Sequence, residues 1–420
     1  MRHTKWLSAI GVPSLVLATV LSGCGNDNGK EETQSGKTEI VLSGWGGNPT
    51  EKKLLNEVLS DFEKEHPHID VKLNTISDQY MDVLKTRLIG GTAADVFYLD
   101  AFEAPALIET GAVEPLNKYV TKEFDLADFE KPMLDAFKEG EKLYGLPKDY
   151  STLALFYNKK MFKEAGIKEP PKTWEEMEAV AKKLTDQKKQ VYGLGMLPQI
   201  ERMYYMAESQ DGQVITDGRA TFADDKVVDA IQPVVDMHIK DKTAATPSEV
   251  GAGQSAGEMF GRGNAAMVME GNWNIPFLED TFPELDYGTA ELPTVNGKKG
   301  TMSFAVGYAM NAESEHKKES WELIEYLTGK EGMKKWTSKG FALPTRKSVA
   351  TELGFDQDEL RGPLVSGAEY ATVWQDGPTL PIVMNNFNNQ FLSAYLGDRP
   401  LKEALKDAER QANREIKVTE

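Results

Sequence analysis

Five short segments bring together residue types suited to holding a ligand. Gly44-Trp45-Gly46-Gly47 sets an indole among glycines, Gln79-Tyr80 supplies a phenol, and Asp100 closes an apolar run. Asp149-Tyr150-Ser151 and Glu270-Gly271-Asn272-Trp273 mix carboxylate, amide, hydroxyl and ring. An indole whose chain neighbours lack side chains has little to pack against locally and suits an exposed stacking platform. A pyranose has an apolar face of C–H groups and a rim of hydroxyls; flat rings cover the first, and carboxylates and amides make paired hydrogen bonds to the second. The expected chemistry is recognition of a neutral polyol by Trp45, Tyr80, Asp100, Asp149, Tyr150, Ser151, Asn272 and Trp273. Trp174, Trp321 and Trp336 fall on amphipathic helical stretches and are expected in the core, while Trp374 and the Tyr204-Tyr205 pair stay unassigned.

Other chemistries lack their residues. His66-Pro67-His68 has no Cys or carboxylate cluster at ligand spacing, so these imidazoles are expected to be solvated and no metal site is expected. The run from Gly251 to Gly257 has one residue too many before its last glycine for a dinucleotide loop and no strand before it. No nucleophile elbow, phosphate loop or zincin helix occurs, so neither a catalytic residue nor a cofactor is expected. Asp224-Asp225 are adjacent in an expected loop, and nothing in the sequence sets them on either side of a bond at the separation that glycosidic cleavage needs.

For the candidate groups to meet, strand ends must carry them, because ligands of open α/β sheets bind beyond the carboxyl ends of the strands. Residues 39–43 read as a strand, and Leu54, Leu55, Val58, Leu59 and Phe62 form one stripe of a helix over 50–65. Ile69, Val71 and Leu73 alternate; Asp78 could cap a helix through Ile89; Val96-Phe97-Tyr98-Leu99 reads as a buried strand. This β-α-β-α-β order predicts a parallel sheet covered on both faces. A second series starts near Leu153, with strands expected over 153–157, 191–196, 265–269 and 304–310. Thr173-Trp174-Glu175-Glu176 fits a capping box, and late helices are expected over 319–327, 331–339 and 401–416. Two α/β lobes follow, with a boundary near Pro147.

The length of 420 residues agrees with two domains, and 40% apolar with 27% charged residues is ordinary for a globular chain. A net charge of −18 opposes unspecific attraction to nucleic acid or anionic lipid, so nucleic acid is not expected as a partner. Arg2 and Lys5 precede an uncharged apolar run over 7–21, which reads as a secretory signal. Leu21-Ser22-Gly23-Cys24 resembles a bacterial lipoprotein signal, with cleavage before Cys24, a lipid on its sulfur, and residues 24–37 as a flexible tether. With one cysteine, no internal disulfide forms.

Taken in order, Asp95-Val96-Phe97-Tyr98-Leu99-Asp100, Leu143-Tyr144-Gly145-Leu146-Pro147 with Phe156-Tyr157-Asn158-Lys159, Pro171 to Glu176, Gly263 to Met267, Gly271-Asn272-Trp273 and Glu403 to Ala408 carry a resemblance. The chain resembles extracellular solute-binding proteins of sugar ABC transporters, the group with maltose- and trehalose/maltose-binding proteins. The resemblance implies two doubly wound α/β lobes with hinge crossovers, the type II periplasmic-binding-protein-like fold. The lobes would be 37–147 with 304–350, and 148–303 with 351–420. It places sugar contacts on or beside Trp45, Asp100, Asp149, Ser151, Trp273, Phe304 and Arg346, with Leu343-Pro344-Thr345-Arg346 as a cleft-lining turn. It implies a monomer, lipid-anchored at Cys24 on the outer face of the cell membrane, that delivers a maltodextrin-like oligosaccharide to ABC permease subunits. A lipid-anchored glycoside-active enzyme, or a binder of peptide or polyamine, are the competing readings.

Overall fold

The computed structural model describes residues 36–46 and 49–419, so the expected signal segment, Cys24 and Gly47 lie outside the described residues. The first elements follow in the expected order: β1 (Thr38–Trp45), α1 (Pro49–Glu65), β2 (Ile69–Ile76), α2 (Tyr80–Ile89) and β3 (Val96–Asp100). The apolar stripe of α1 from Leu54 to Phe62 is buried, as helical spacing requires. Strand β1 pairs in parallel with β2 and with β3. The chain then forms β4 (Gly145–Ser151), β5 (Ala154–Asn158), α3 (Trp174–Leu184), β6 (Tyr192–Gly195), α4 (Asp225–Ile239) and β7 (Ala244–Ala245). It continues through α5 (Ala256–Gly261), β8 (Ala265–Glu270), α6 (Asn274–Thr281), β9 (Tyr287–Ala290) and β10 (Phe304–Met310). Helices α7 (Lys317–Thr328), α8 (Lys330–Thr337), α9 (Leu380–Tyr395) and α10 (Leu401–Thr419) follow.

Two five-stranded sheets result, ordered β2-β1-β3-β10-β4 and β7-β6-β8-β5-β9. Neither is wholly parallel. Strand β10 returns from the second sheet and runs antiparallel to both β3 and β4, and β5 is antiparallel to β8 and β9. The side chains form separate cores that trace the crossings: Tyr150 packs into the first core and Leu153 into the second, and Met302 belongs to the second while Ala305 belongs to the first. Strand β4 therefore runs through the expected boundary at Lys148 and ends at Ser151. The Leu153 N–H donates to the Thr301 hydroxyl at 3.1 Å, tying the outgoing and returning crossings together.

Local sequence explains some of the helix starts. Thr173 caps α3 by accepting the Glu176 N–H at 3.2 Å, but the Glu176 carboxylate takes the Lys172 N–H rather than that of Thr173, so the expected box closes one residue early. Asp224, expected in a loop, caps α4 by accepting the Lys226 N–H at 2.8 Å. Helix α2 starts without an Asp78 cap; Gln79 is left-handed, with φ at 47°. Of the two imidazoles expected to be solvated, His68 is exposed and His66 half-buried, and both reach the Glu322 carboxylate, at 3.1 and 3.0 Å. That carboxylate lies on α7, far away in sequence.

Candidate functional site

A cavity of about 440 Å³ is lined by residues at or beyond the ends of strands in both sheets. Of the expected residues, Trp45, Asp100, Asp149, Tyr150, Ser151, Trp273 and Phe304 line it. Tyr80, Asn272 and Arg346 do not.

Trp45 ends β1, and its indole meets the rings of Tyr80 and Tyr98 edge-on at centroid distances of 5.4 and 5.2 Å. Tyr80 is a support rather than a wall. The left-handed Gln79 turns it inward, and its buried hydroxyl lies 3.2 Å from the Ser43 carbonyl and 3.0 Å from that of Tyr98, bridging β1 and β3. Burial holds its phenol in the neutral form, raised well above the usual value. At the end of β3, Asp100 accepts the Phe102 N–H at 2.9 Å. Burial pushes its carboxyl up to about 7, the nearby charges of Glu103 and Glu201 add to this, and the Phe102 hydrogen bond opposes it.

Lys148 and Asp149 are adjacent on a strand, where side chains normally point to opposite faces. A β-bulge overrides the alternation: Val306 of β10 pairs with Asp149 and Gly307 with Pro147, leaving Lys148 as the extra residue. Both side chains therefore line the cavity and form a buried ion pair. Asp149 also accepts the Trp336 indole N–H at 2.6 Å. The Lys148 ammonium lies 4.7 Å from the Tyr98 ring centroid and 4.3 Å from that of Trp336, so cation–π contacts take up its remaining charge.

On the opposite wall the loop after β8 carries Trp273. Its indole N–H donates to Glu270 at 2.8 Å, and Arg202, which donates to the Met269 carbonyl at 2.6 Å, lies 3.4 Å from the same carboxylate oxygen. Gly271 makes the fold-back possible, because a Cβ there would lie 2.3 Å from the Trp273 ring and 2.6 Å from the Ser151 hydroxyl. Asn272 is fully buried behind this loop, where its backbone N–H donates to Ser151 Oγ at 2.8 Å and its Oδ1 lies 3.1 Å from the same hydroxyl. It fastens the loop to the end of β4. Phe304, opening β10, meets Trp273 edge-on at 5.8 Å and Phe102 at 5.7 Å. From Phe102 the ring contacts pass to Trp374, which is buried and stacked on Tyr204 at 4.3 Å.

Arg346 is displaced furthest from its expected place. Its guanidinium is 1% exposed, lies 4.6 and 4.1 Å from the Phe124 and Phe129 rings, and donates to the Thr328 and Phe124 carbonyls at 2.6 and 3.0 Å. With Asp128 at 3.3 Å, these contacts make it a clasp inside the first lobe. Phe341 and Ala342 supply the cavity wall from this segment instead. Glu51, Lys148, Asn274 and Phe277, none of them expected from the sequence, also line the cavity. A strand-end rule finds Asn274, two residues beyond Asn272; nothing in the sequence marks the bulge that turns Lys148 inward.

The arrangement supplies indole and phenyl faces, carboxylates and an amide to a small concave space, enough to enclose and orient a hydroxylated ligand. Among the described residues no group of three His, Cys, Asp or Glu could hold a metal ion, and no helix is long and apolar enough to cross a membrane.

A family model described as bacterial extracellular solute-binding protein matches residues 46–334. The galactooligosaccharide-binding protein of Bacillus subtilis is 25% identical over 423 residues, covering 95% of this chain and 94% of that protein. An ABC substrate-binding protein from Listeria monocytogenes, solved in complex with cycloalternan, superposes with a TM-score of 0.84 at 26% identity, covering 91% of this chain and 99% of that one. The Thermus thermophilus maltotriose binding protein, bound with maltotriose, superposes at 0.76 with 22% identity over 90% of this chain and all of its own. The fold is the two-lobed, type II periplasmic-binding-protein-like α/β architecture.

Proposed function

We propose that this chain, which belongs to the bacterial extracellular solute-binding proteins, captures a sugar in the cavity and passes it on unchanged to an ABC permease. The finer reading is a maltodextrin-like oligosaccharide. One observation carries the proposal: Trp45 and Trp273, from different sheets, line the same cavity together with Asp100, Asp149 and Glu270. Rings on both sides would cover the C–H faces of a pyranose, and the carboxylates would accept from its hydroxyls. The sugar would touch both lobes, 38–151 with 304–350 and 153–302 with the C-terminal helices, and would favour their closed arrangement by its differential affinity for it. The relatives named above carry sugars in their names or structures, which supports the class.

The reading assigns no bond-breaking step to the cavity. A fluorescence titration tests it: sugar stacking on Trp45 and Trp273 should change the tryptophan emission saturably, and the sugar recovered by chromatography should be intact. Shortened products would establish an enzyme, and a response to peptides or polyamines alone would exclude the sugar. The chain is further proposed to act as a monomer, anchored outside the cell by a lipid on Cys24. Cys24→Ser should then abolish palmitate incorporation and release the protein from membranes.

A further inference from the structure

Two features that disfavour stability lie side by side on the cavity wall. Asn274, at the start of α6, lines the cavity and is 2% exposed, yet its Nδ2 finds no hydrogen-bond acceptor among the described residues. A buried amide donor left unpaired is costly. Facing it, Gly257 is the second residue of helix α5, where a residue with a side chain would lose less backbone entropy on folding. A Cβ at Gly257 would lie 2.1 Å from Asn274 Oδ1 and 3.4 Å from the Phe277 ring, so the glycine provides the room that the amide occupies. Beside them Ser255 Oγ accepts the Glu258 N–H at 3.0 Å, which leaves its own proton for a further acceptor in the cavity it lines. A sequence that gives up helix propensity and amide pairing at one point breaks local consistency where a ligand restores it.

We infer that Asn274 is a specificity-determining residue of the cavity, its amide pairing with a hydroxyl or ring oxygen of the bound sugar while Gly257 keeps the space open. The inference rests on the sugar reading above and adds a subsite to it. A half-turn about the last torsion of Asn274 exchanges Nδ2 with Oδ1, so the amide meets a hydroxyl as donor or acceptor.

Calorimetric titration of the wild type, Asn274→Ala and Gly257→Ala with maltotriose, a galactooligosaccharide and an arabinooligosaccharide tests this, alongside the unfolding temperature of each unliganded protein. The wild type should bind at least one of these sugars. Asn274→Ala should weaken that sugar tenfold or more while leaving the unliganded unfolding temperature unchanged or raised, since an unpaired amide has gone. Gly257→Ala should weaken it comparably by displacing the amide. Affinity within twofold of wild type in either variant overturns the inference and leaves the sugar reading standing. So does lost binding in Asn274→Ala accompanied by a lowered unfolding temperature, which would make the amide a structural support. A wild type that binds none of the three overturns the sugar reading and this inference with it.

Discussion

The two walls of the cavity hold their tryptophans by different means. Trp45 on the first meets Tyr80 and Tyr98 in edge-to-face contact and shares its wall with an ion pair, Lys148–Asp149, that is closed upon itself and upon Trp336. Trp273 on the second is held through its N–H by Glu270, which also faces Arg202. The first wall keeps charge and aromatic platform apart; the second makes the platform depend on the charge. The orientation of Trp273 should therefore respond to changes at Glu270, whereas that of Trp45 should respond to ring volume.

The largest effect expected from this contrast falls on stability. Asp149→Asn leaves the Lys148 ammonium buried without its counter-charge, and should cost about 3–5 kcal/mol, read as a lowered urea midpoint with an unchanged slope. The double variant Lys148→Met/Asp149→Leu should recover most of that loss, because the buried charge leaves with its partner. An Asp149→Asn protein as stable as the wild type would show that the pair is not closed as described. Next in size, Trp273→Ala should weaken sugar binding roughly 100-fold, about 3 kcal/mol for a lost stacking ring, without disturbing the fold. Glu270→Gln keeps an acceptor for the indole but removes the charge facing Arg202, and should weaken binding about tenfold. Tyr80→Phe on the first wall keeps the ring and should change it less than threefold. Equal effects of these two substitutions on calorimetric affinity would dissolve the contrast.

The last effect is a pH dependence, spread over about three pH units. The Asp100 carboxyl is raised from its ordinary 3.8 to about 7, so the native state holds a proton that the unfolded chain has released. Its contribution to stability is full below pH 3.8 and is lost as pH rises through about 7. Asp100→Asn, neutral throughout, should match the wild type near pH 4 and gain in unfolding temperature up to pH 7, with no further gain above it. A constant difference across that range would mean that Asp100 is ionised in the folded protein.

Periodicity made the first half of the fold legible. The stripe of α1 and the alternation from Ile69 to Leu73 set β1 to β3 in their places, and Trp45 and Asp100 at the strand ends followed from that. Antiparallel β10 was visible as a strand but not in its direction, since its pairing depends on a crossing far away in the chain. The misplaced residues have separate physical causes. Tyr80 follows a strand, as a site residue would, but one left-handed residue before it turns the ring inward. Arg346 sits in a loop that lines a wall through its neighbours, while its own cation lies against Phe124 and Phe129 from a segment more than two hundred residues earlier. Lys148 enters the cavity only because of a bulge, and the bulge is a property of two paired strands rather than of either sequence.

One cavity, with an indole on each wall, is proposed to take up a sugar. Isothermal titration of the wild type and of Trp45→Ala/Trp273→Ala with an oligosaccharide panel tests it most directly. The account requires saturable one-to-one binding of at least one sugar by the wild type and none by a folded double variant. Undiminished binding by the double variant, or silence of the wild type toward the whole panel, would contradict it.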